Sequence, residues 1–320
     1  MSGDKRYLRN CEVGETFTGF CVVRKRELRS RRDGEPFLAL EFGDRSGRLS
    51  GNIWDNAEQA FQEYQEGDVV KLQGVIELYR DARQIAIRKI RRSKPEDNVD
   101  PADLIPASDL EPEEARRRLL RVIGSIRNPH LKALLDALFG DEPFLAGFLR
   151  APGGKLWHHN RIGGLAEHTL ALARLCRILS ALYPEADRDL LVSGALLHDI
   201  GKIQEYRYET HIDYSDRGRL VGHITLGAQW VAEAAGRIEG FPPDLLDRLI
   251  HLILSHQAEH GSPILPATRE AFLLHYADEI DSKLDAFKRI AAEQPDGERW
   301  RWVNLLERHL DLGGERQEEG

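Results

Sequence analysis

Apolar positions recur with two different periods along this chain, and the period changes near residue 94. Before that point apolar and polar residues alternate in short runs, the signature of half-buried strands. The runs cover residues 17–28, 37–42, 48–54, 69–79 and 84–90. Arg31-Arg32-Asp33-Gly34-Glu35 and Gly43-Asp44-Arg45-Ser46-Gly47 read as turns between the first three, and residues 56–64 read as a short helix. Beyond residue 112 the spacing becomes helical. Helices are expected over residues 113–126, 129–138, 143–148, 165–182, 187–200, 224–238, 242–256, 268–290 and 299–310. Between the two regimes, Pro95, Pro101, Pro106 and Pro112 punctuate an acidic, weakly patterned stretch, which reads as a linker.

Five strands with a short helix between the third and fourth is the order of an OB-fold. The chain therefore reads as multidomain: an all-β barrel over residues 1–93, a linker over 94–112, an all-α domain over 113–312 and a flexible polar tail over 313–320. A length of 320 residues is ample for two cores.

Charge sharpens this division. The net charge is −8, but residues 1–94 carry 19 Lys+Arg against 15 Asp+Glu, and the remainder carries 26 against 38. A mildly basic barrel thus precedes an acidic helical part, so the total does not argue against nucleic acid. In the barrel, basic residues interleave with aromatics: Arg24, Lys25, Arg26, Phe37, Trp54, Tyr79 and Arg80. Single-strand binding uses that pairing of phosphate neutralisation and base stacking, and Arg24, Lys25, Phe37 and Trp54 are its candidates. The bland alternative is solvated strand faces with Phe37 and Trp54 in the core. The three Cys have no paired spacing, which points to a reducing compartment, the cytoplasm. No run is apolar enough to span a membrane, and the N-terminus does not read as a signal peptide.

The helical part holds the candidate chemistry. Ten of the twelve His fall between His158 and His275. At the centre lies Leu196-Leu197-His198-Asp199-Ile200-Gly201-Lys202, an apolar helix running into a His-Asp pair, with Gly201 expected to stop the helix. A buried carboxylate needs a cation or a hydrogen-bond network. His168, His223, His256 and Asp278 are the other candidates, and mixed imidazole and carboxylate donors suit a first-row divalent metal. Trp157-His158-His159-Asn160-Arg161-Ile162-Gly163-Gly164 reads as a loop, a candidate for gripping phosphate or a base. Taken singly, each residue has a structural alternative. His168 could be a core histidine, Asp278 a surface carboxylate near Lys283, His223 a helix cap, His256 a helix-end residue and Lys202 a solvated charge.

The order His168, His198-Asp199, Asp278 resembles the HD superfamily of metal-dependent phosphohydrolases. The chain is more closely similar to the YhaM-like 3′→5′ exoribonucleases, which also place an OB-fold before an HD domain. The residues that carry this are His158-His159-Asn160, Gly163-Gly164-Leu165, His168-Thr169, Leu197 to Lys202, Gly222-His223-Ile224, Ser255-His256 and Glu259-His260-Gly261-Ser262-Pro263. One departure stands out: His256 is followed by Gln257 where a second His is expected.

The resemblance implies an OB-fold barrel followed by an HD domain and a metal-dependent 3′→5′ exonuclease acting on single-stranded RNA or DNA. It implies one divalent cation on His168, His198, Asp199 and Asp278, and a second on His223 and His256 with Asp199 bridging. Mn²⁺ is favoured, and Co²⁺, Fe²⁺, Ni²⁺ and Mg²⁺ are also admitted by the donors. Asp199 and Lys202 are the expected catalytic residues, and His159, Asn160, Arg161 and Lys202 are expected to bind substrate. Similar proteins assemble into multimers, so a homo-oligomer is expected, and no membrane partner is. The alternative is a phosphohydrolase of small nucleotides with a regulatory barrel.

Overall fold

The computed structural model describes residues 6–31, 33–79, 82–155, 157–292, 299–303 and 306–313. The chain divides into two compact units, Met1–Val99 with Asp285–Gly320, and Asp100–Leu284.

In the first unit five strands close a barrel: β1 (Thr16–Ser30), β2 (Pro36–Asp44), β3 (Gly47–Ile53), β4 (Val69–Tyr79) and β5 (Ala82–Arg92), in the order β1-β2-β3-β5-β4. Helix α1 (Ala57–Glu63) lies between β3 and β4 in sequence, as the OB-fold order requires. Alternation decides what faces inward. On β4, Val70, Leu72 and Ile76 are buried while Lys71, Gln73 and Glu77 are less so. They join Phe17, Leu38, Leu40, Phe42 and Ile85 in one core. Closure comes from the parallel pairing of Ser50 and Gly51 with Gln84 and Ile85.

The second unit is helical. Its helices are α2 (Pro112–Gly124), α3 (Pro129–Phe139), α4 (Glu142–Arg150), α5 (Gly164–Leu182), α6 (Arg188–Leu197) and the single turn α7 (Lys202–Glu205). A two-residue pairing of β6 (Tyr206–Arg207) with β7 (Asp213–Tyr214) follows. Then come α8 (Asp216–Leu220), α9 (His223–Ala235), α10 (Pro243–Ser255) and α11 (Arg269–Ala292), the last belonging to this unit as far as Leu284. Helix α6 is the axis of the bundle, since every residue from Leu190 to Leu197 is buried. A helix apolar on all sides belongs in the middle of a core. Asp187 caps its start by accepting from the backbone N–H groups of Asp189 and Leu190.

Three expectations need correction. The described residues of the helix expected over 299–310 instead form two antiparallel strands, β8 (Trp300–Val303) and β9 (Arg308–Asp311), with Trp302 opposite His309. The run Trp300-Arg301-Trp302-Val303 has a period of two and strand-favouring side chains, which outweigh the helical spacing of the following leucines. The stretch read as a linker is partly built into the second unit. Leu104 and Ile105 are buried, and Ser108 N–H and Ile162 N–H bond to the carbonyls of Ile162 and Pro106. Gly201 does not stop α6, which ends at Leu197. Its φ is −60°, an ordinary helical value. Glycine is required there by proximity, because a Cβ would lie 2.0 Å from the His223 carbonyl oxygen. Arg80 lies outside the described residues, as do residues 314–320 of the expected tail.

Candidate metal centre and nucleic-acid groove

The end of α6 delivers His198 and Asp199 into the bundle, where both are almost fully buried. Helix α5 brings His168, the first residue of α9 is His223, the residue after α10 is His256, and α11 brings Asp278. Five elements far apart in sequence thus converge on one carboxylate. Asp199 Oδ2 lies 3.2 Å from His198 Nε2 and 3.8 Å from His168 Nε2, and Oδ1 lies 3.4 Å from His223 Nε2 and 3.5 Å from His256 Nε2. Asp278 Oδ1 is 3.1 Å from His168 Nε2.

The imidazoles share one orientation. His198 Nδ1 donates to the Ala195 carbonyl at 2.9 Å and His256 Nδ1 to the Ile253 carbonyl at 2.8 Å. His223 Nδ1 donates to Glu205 Oε1 at 2.8 Å, and His168 Nδ1 to Asp281 Oδ2 at 2.7 Å. Each ring therefore turns Nε2 inward, and in a neutral ring that atom is an acceptor. His168 Nε2 and His198 Nε2 face each other at 3.2 Å, a contact that needs a proton or a cation between the two lone pairs. Asp199 Oδ1 and His256 Nε2 are buried with no hydrogen-bond partner among the described residues. Orphaned buried acceptors are costly. A divalent cation satisfies them, and the donor set fits one. His168, His198 and Asp278 offer one group of ligand atoms within 4.8 Å of one another, and His198, Asp199 and His256 a second.

Electrostatics follow from this crowding. Burial pushes the Asp199 carboxyl up, but Lys202 and His198 beside it prevail and hold it well below the usual carboxylate range. Burial likewise favours a neutral His168, yet its hydrogen bonds to Asp278 and Asp281 raise its pKa to about 10. Against the effect of burial, Asp278 is held below the ordinary carboxylate range by His168, and Asp281 by His159 and then His168.

Lys202 is not a solvated helix-end charge. It is 4% exposed, and its Nζ donates to Asp199 Oδ2 at 2.5 Å and to the Gly153 carbonyl at 2.6 Å. Lys283 pairs with Glu279, which leaves Asp278 to the cluster. The loop before α5 folds over the site. Gly163 has φ +76°, and a Cβ on Gly164 would lie 2.0 Å from the His159 carbonyl, so the adjacent glycines allow the loop to close on the helix start. His159 is buried, with Nε2 donating to Asp281 Oδ2 at 2.9 Å. Arg161 is held by Glu167 through Nε and Nη2 at 2.9 and 2.8 Å. Asn160 is half-buried on the same loop.

Sequence reasoning missed Glu205 and Asp281, and it named His158 and Gln257 without giving either a role of its own. His158 packs its ring 5.1 Å from that of His168, and burial drives its pKa well below the ordinary value, so it is neutral. Glu205 orients His223, and Asp281 touches two imidazoles. Gln257 sits where a second His was expected, and its amide donates to His223 Nε2 at 3.1 Å. The one trace of Asp281 in the sequence is its place three residues after Asp278 on the same helix face, and Glu205 leaves none.

On the barrel, Lys25, Phe37 and Trp54 line one groove of ≈ 440 Å³ with Arg29, Asn52 and Tyr79. Phe37 and Trp54 stack at 4.9 Å, and the Arg31 guanidinium lies over Trp54. Trp54 is 50% exposed, so it is not core. Arg24 does not line the groove. It sits at a β-bulge between Val23 and Lys25 and lies against Gly43, and burial lowers its pKa to about 10.

Comparison with known proteins agrees with both halves. Residues 165–283 match the HD domain, and residues 22–92 match the OB-fold nucleic acid binding domain. The 3′-5′ exoribonuclease YhaM of Oceanobacillus iheyensis is 33% identical over 288 residues, 89% of this chain and 90% of its own length. That of Bacillus subtilis is 31% identical over 298 residues, 92% of this chain and 94% of its own. No described helix is long and apolar enough to cross a membrane. With both domain types in the same order and that identity sustained along nearly the whole length, the chain belongs to the YhaM family of 3′-5′ exoribonucleases.

Proposed function

We propose that this protein hydrolyses phosphodiester bonds of single-stranded RNA from the 3′ end, with divalent cations held by the His-Asp cluster. The observation that carries the reading is the inward convergence of His168, His198, His223 and His256 Nε2 on buried Asp199. His168, His198, Asp199 and Asp278 would hold one ion, and His223 and His256 a second, with Asp199 shared. We favour Mn²⁺ among the ions that such N/O donors admit. The ions supply Lewis-acid stabilisation of phosphoryl charge and the activation of water at neutral pH.

The chain's own residues supply position. Lys202 holds Asp199 in place and brings a buried positive charge close to where a phosphate oxygen would sit. Asn160 and His158, on the loop beside the cluster, are placed to contact the terminal sugar or phosphate. His159 and Arg161, which are engaged by Asp281 and Glu167, act by holding that loop. The stacked Phe37–Trp54 pair with Lys25 favours a strand over a free nucleotide, because it offers bases a π-face and phosphates a charge. The three cysteines are free and buried, which fits the cytoplasm. A multimer of this chain is the expected assembly.

The test uses 5′-labelled single-stranded RNA with Mn²⁺, with EDTA, and beside free mononucleotides. A ladder shortening from the 3′ end in Mn²⁺ alone is the expected result. Phosphate release from mononucleotides with intact RNA would replace this reading with a small-nucleotide phosphohydrolase.

A further inference from the structure

Asp281 belongs to none of the candidate ligand groups, yet it touches the rings of both His168 and His159. A single oxygen, Oδ2, accepts from His168 Nδ1 at 2.7 Å and from His159 Nε2 at 2.9 Å. These partners are 113 and 122 residues away in sequence. His159 continues the chain outward. Its Nδ1 accepts from Arg161 Nη2 at 3.1 Å, Arg161 is clasped by Glu167, and Glu167 also accepts from Ser108 Oγ at 2.5 Å. One line of polar contacts thus runs from the ring of His168 into the loop that carries His158 and Asn160.

We infer that Asp281 is a positioning residue that couples the metal cradle to the substrate loop; this rests on the metal reading above. The physical basis is its double acceptance. By taking the Nδ1 proton, Asp281 fixes the tautomer that leaves Nε2 of His168 as a ligand, and it makes that nitrogen a stronger donor. By taking the His159 proton with the same oxygen, it ties the loop to the ring. Neither His198 nor His256 has such a link, because their Nδ1 atoms are satisfied by carbonyls within their own helices. His223 has a carboxylate, Glu205, but that group sits on the adjacent turn. Asp281 alone among these acceptors joins a candidate ligand to the loop. Its loss therefore weakens the metal and the substrate together, whereas loss of a mere packing group would alter neither coordination nor KM selectively.

The experiment uses the full chain stripped of metal, with Asp281→Asn and Asp281→Ala variants, and titrates Co²⁺ alone while reading the visible absorption bands. Removing such an outer hydrogen-bond partner costs about 10- to 100-fold in metal affinity. That loss is expected for Asp281→Ala, with a shifted Co²⁺ spectrum and a raised KM for RNA. Asp281→Asn keeps the shape and one acceptor oxygen, so it should recover part of the affinity. It carries the test by itself if the alanine variant does not fold. Circular dichroism checks the fold of each. Variants that fold and bind Co²⁺ within twofold of the parent, with the same spectrum and KM, would overturn the inference. If the parent chain itself takes up no Co²⁺, the metal reading fails, and the inference that rests on it falls with it.

Discussion

Replacing Asp199 with Asn tests the centre of the site through two readouts, stability and hydrolysis, that a second substitution at Lys202 separates. The carboxylate is 2% exposed, and Lys202, 4% exposed, sits against it at 2.5 Å. Asn keeps the shape and deletes the charge. Lys202 is then a buried ammonium with no carboxylate against it, left with the amide oxygen at position 199 and the Gly153 carbonyl as acceptors. Breaking a buried ion pair from one side costs about 3–5 kcal/mol. At roughly 2–4 °C per kcal/mol for a unit of this size, melting of the metal-free protein should fall by about 6–20 °C. RNA hydrolysis should vanish, because four imidazoles lose the charge they surround. The double variant Asp199→Asn, Lys202→Met removes the stranded cation, so its melting temperature should recover most of the loss while hydrolysis stays absent. Acidity gives a further check of sign. Asp199 titrates lower in the folded state than its unfolded value near 4. Its contribution is therefore complete above about pH 4 and disappears as pH falls towards the folded value, so the gap between parent and single variant should narrow in acid. Calorimetry of the three proteins and a gel assay on labelled RNA suffice. A single variant melting within about 2 °C of the parent, or a double variant that degrades RNA, would refute the reasoning.

Other expectations are independent of that pair. Because His168 holds a proton up to about pH 10, a cation must displace it, and Mn²⁺ affinity should rise by up to about tenfold per pH unit below that value; pH-independent calorimetric titrations would contradict this. Trp54→Ala should weaken binding of single-stranded RNA by about 1–3 kcal/mol with little change in salt dependence, whereas Lys25→Ala should lower the slope of log K against log salt by about one. Fluorescence anisotropy at several salt concentrations separates the two, and identical effects would remove the groove from the reading. Gly201→Ala pushes a methyl towards the His223 carbonyl, where its Cβ would lie at 2.0 Å. It should cost about 1–3 kcal/mol of stability and weaken metal uptake by moving His223. Uptake equal to the parent's would show that His223 is not a ligand.

The strands of the barrel and the helices of the second unit were legible because each is set by local period. β4 alternates, and α6 is apolar from Leu190 to Leu197 apart from Ser193, and both patterns survive in one dimension. The strand pair of β8 and β9 was misread where Trp-Arg-Trp-Val and the leucines that follow suggest different periods. The candidate site was legible in part for a different reason: His168, the His198-Asp199 pair and Asp278 are residue types that are costly to bury unpartnered, so their place in apolar helices marked them. What the residues could not disclose is which hydrogen bonds orient them. Asp281 and Glu205 look like ordinary helix carboxylates, and Lys202 like a surface charge. Arg24 and Lys25 are neighbours in the chain, but a bulge in the strand sets half-buried Arg24 against Gly43 while Lys25 lines the groove. Sequence alone determined the period of each element and the kinds of donor present, since these depend on neighbours along the chain. The tertiary structure decided which nitrogen of each imidazole faces inward and which carboxylate holds it, because hydrogen bonds form between atoms that folding alone brings within 3 Å.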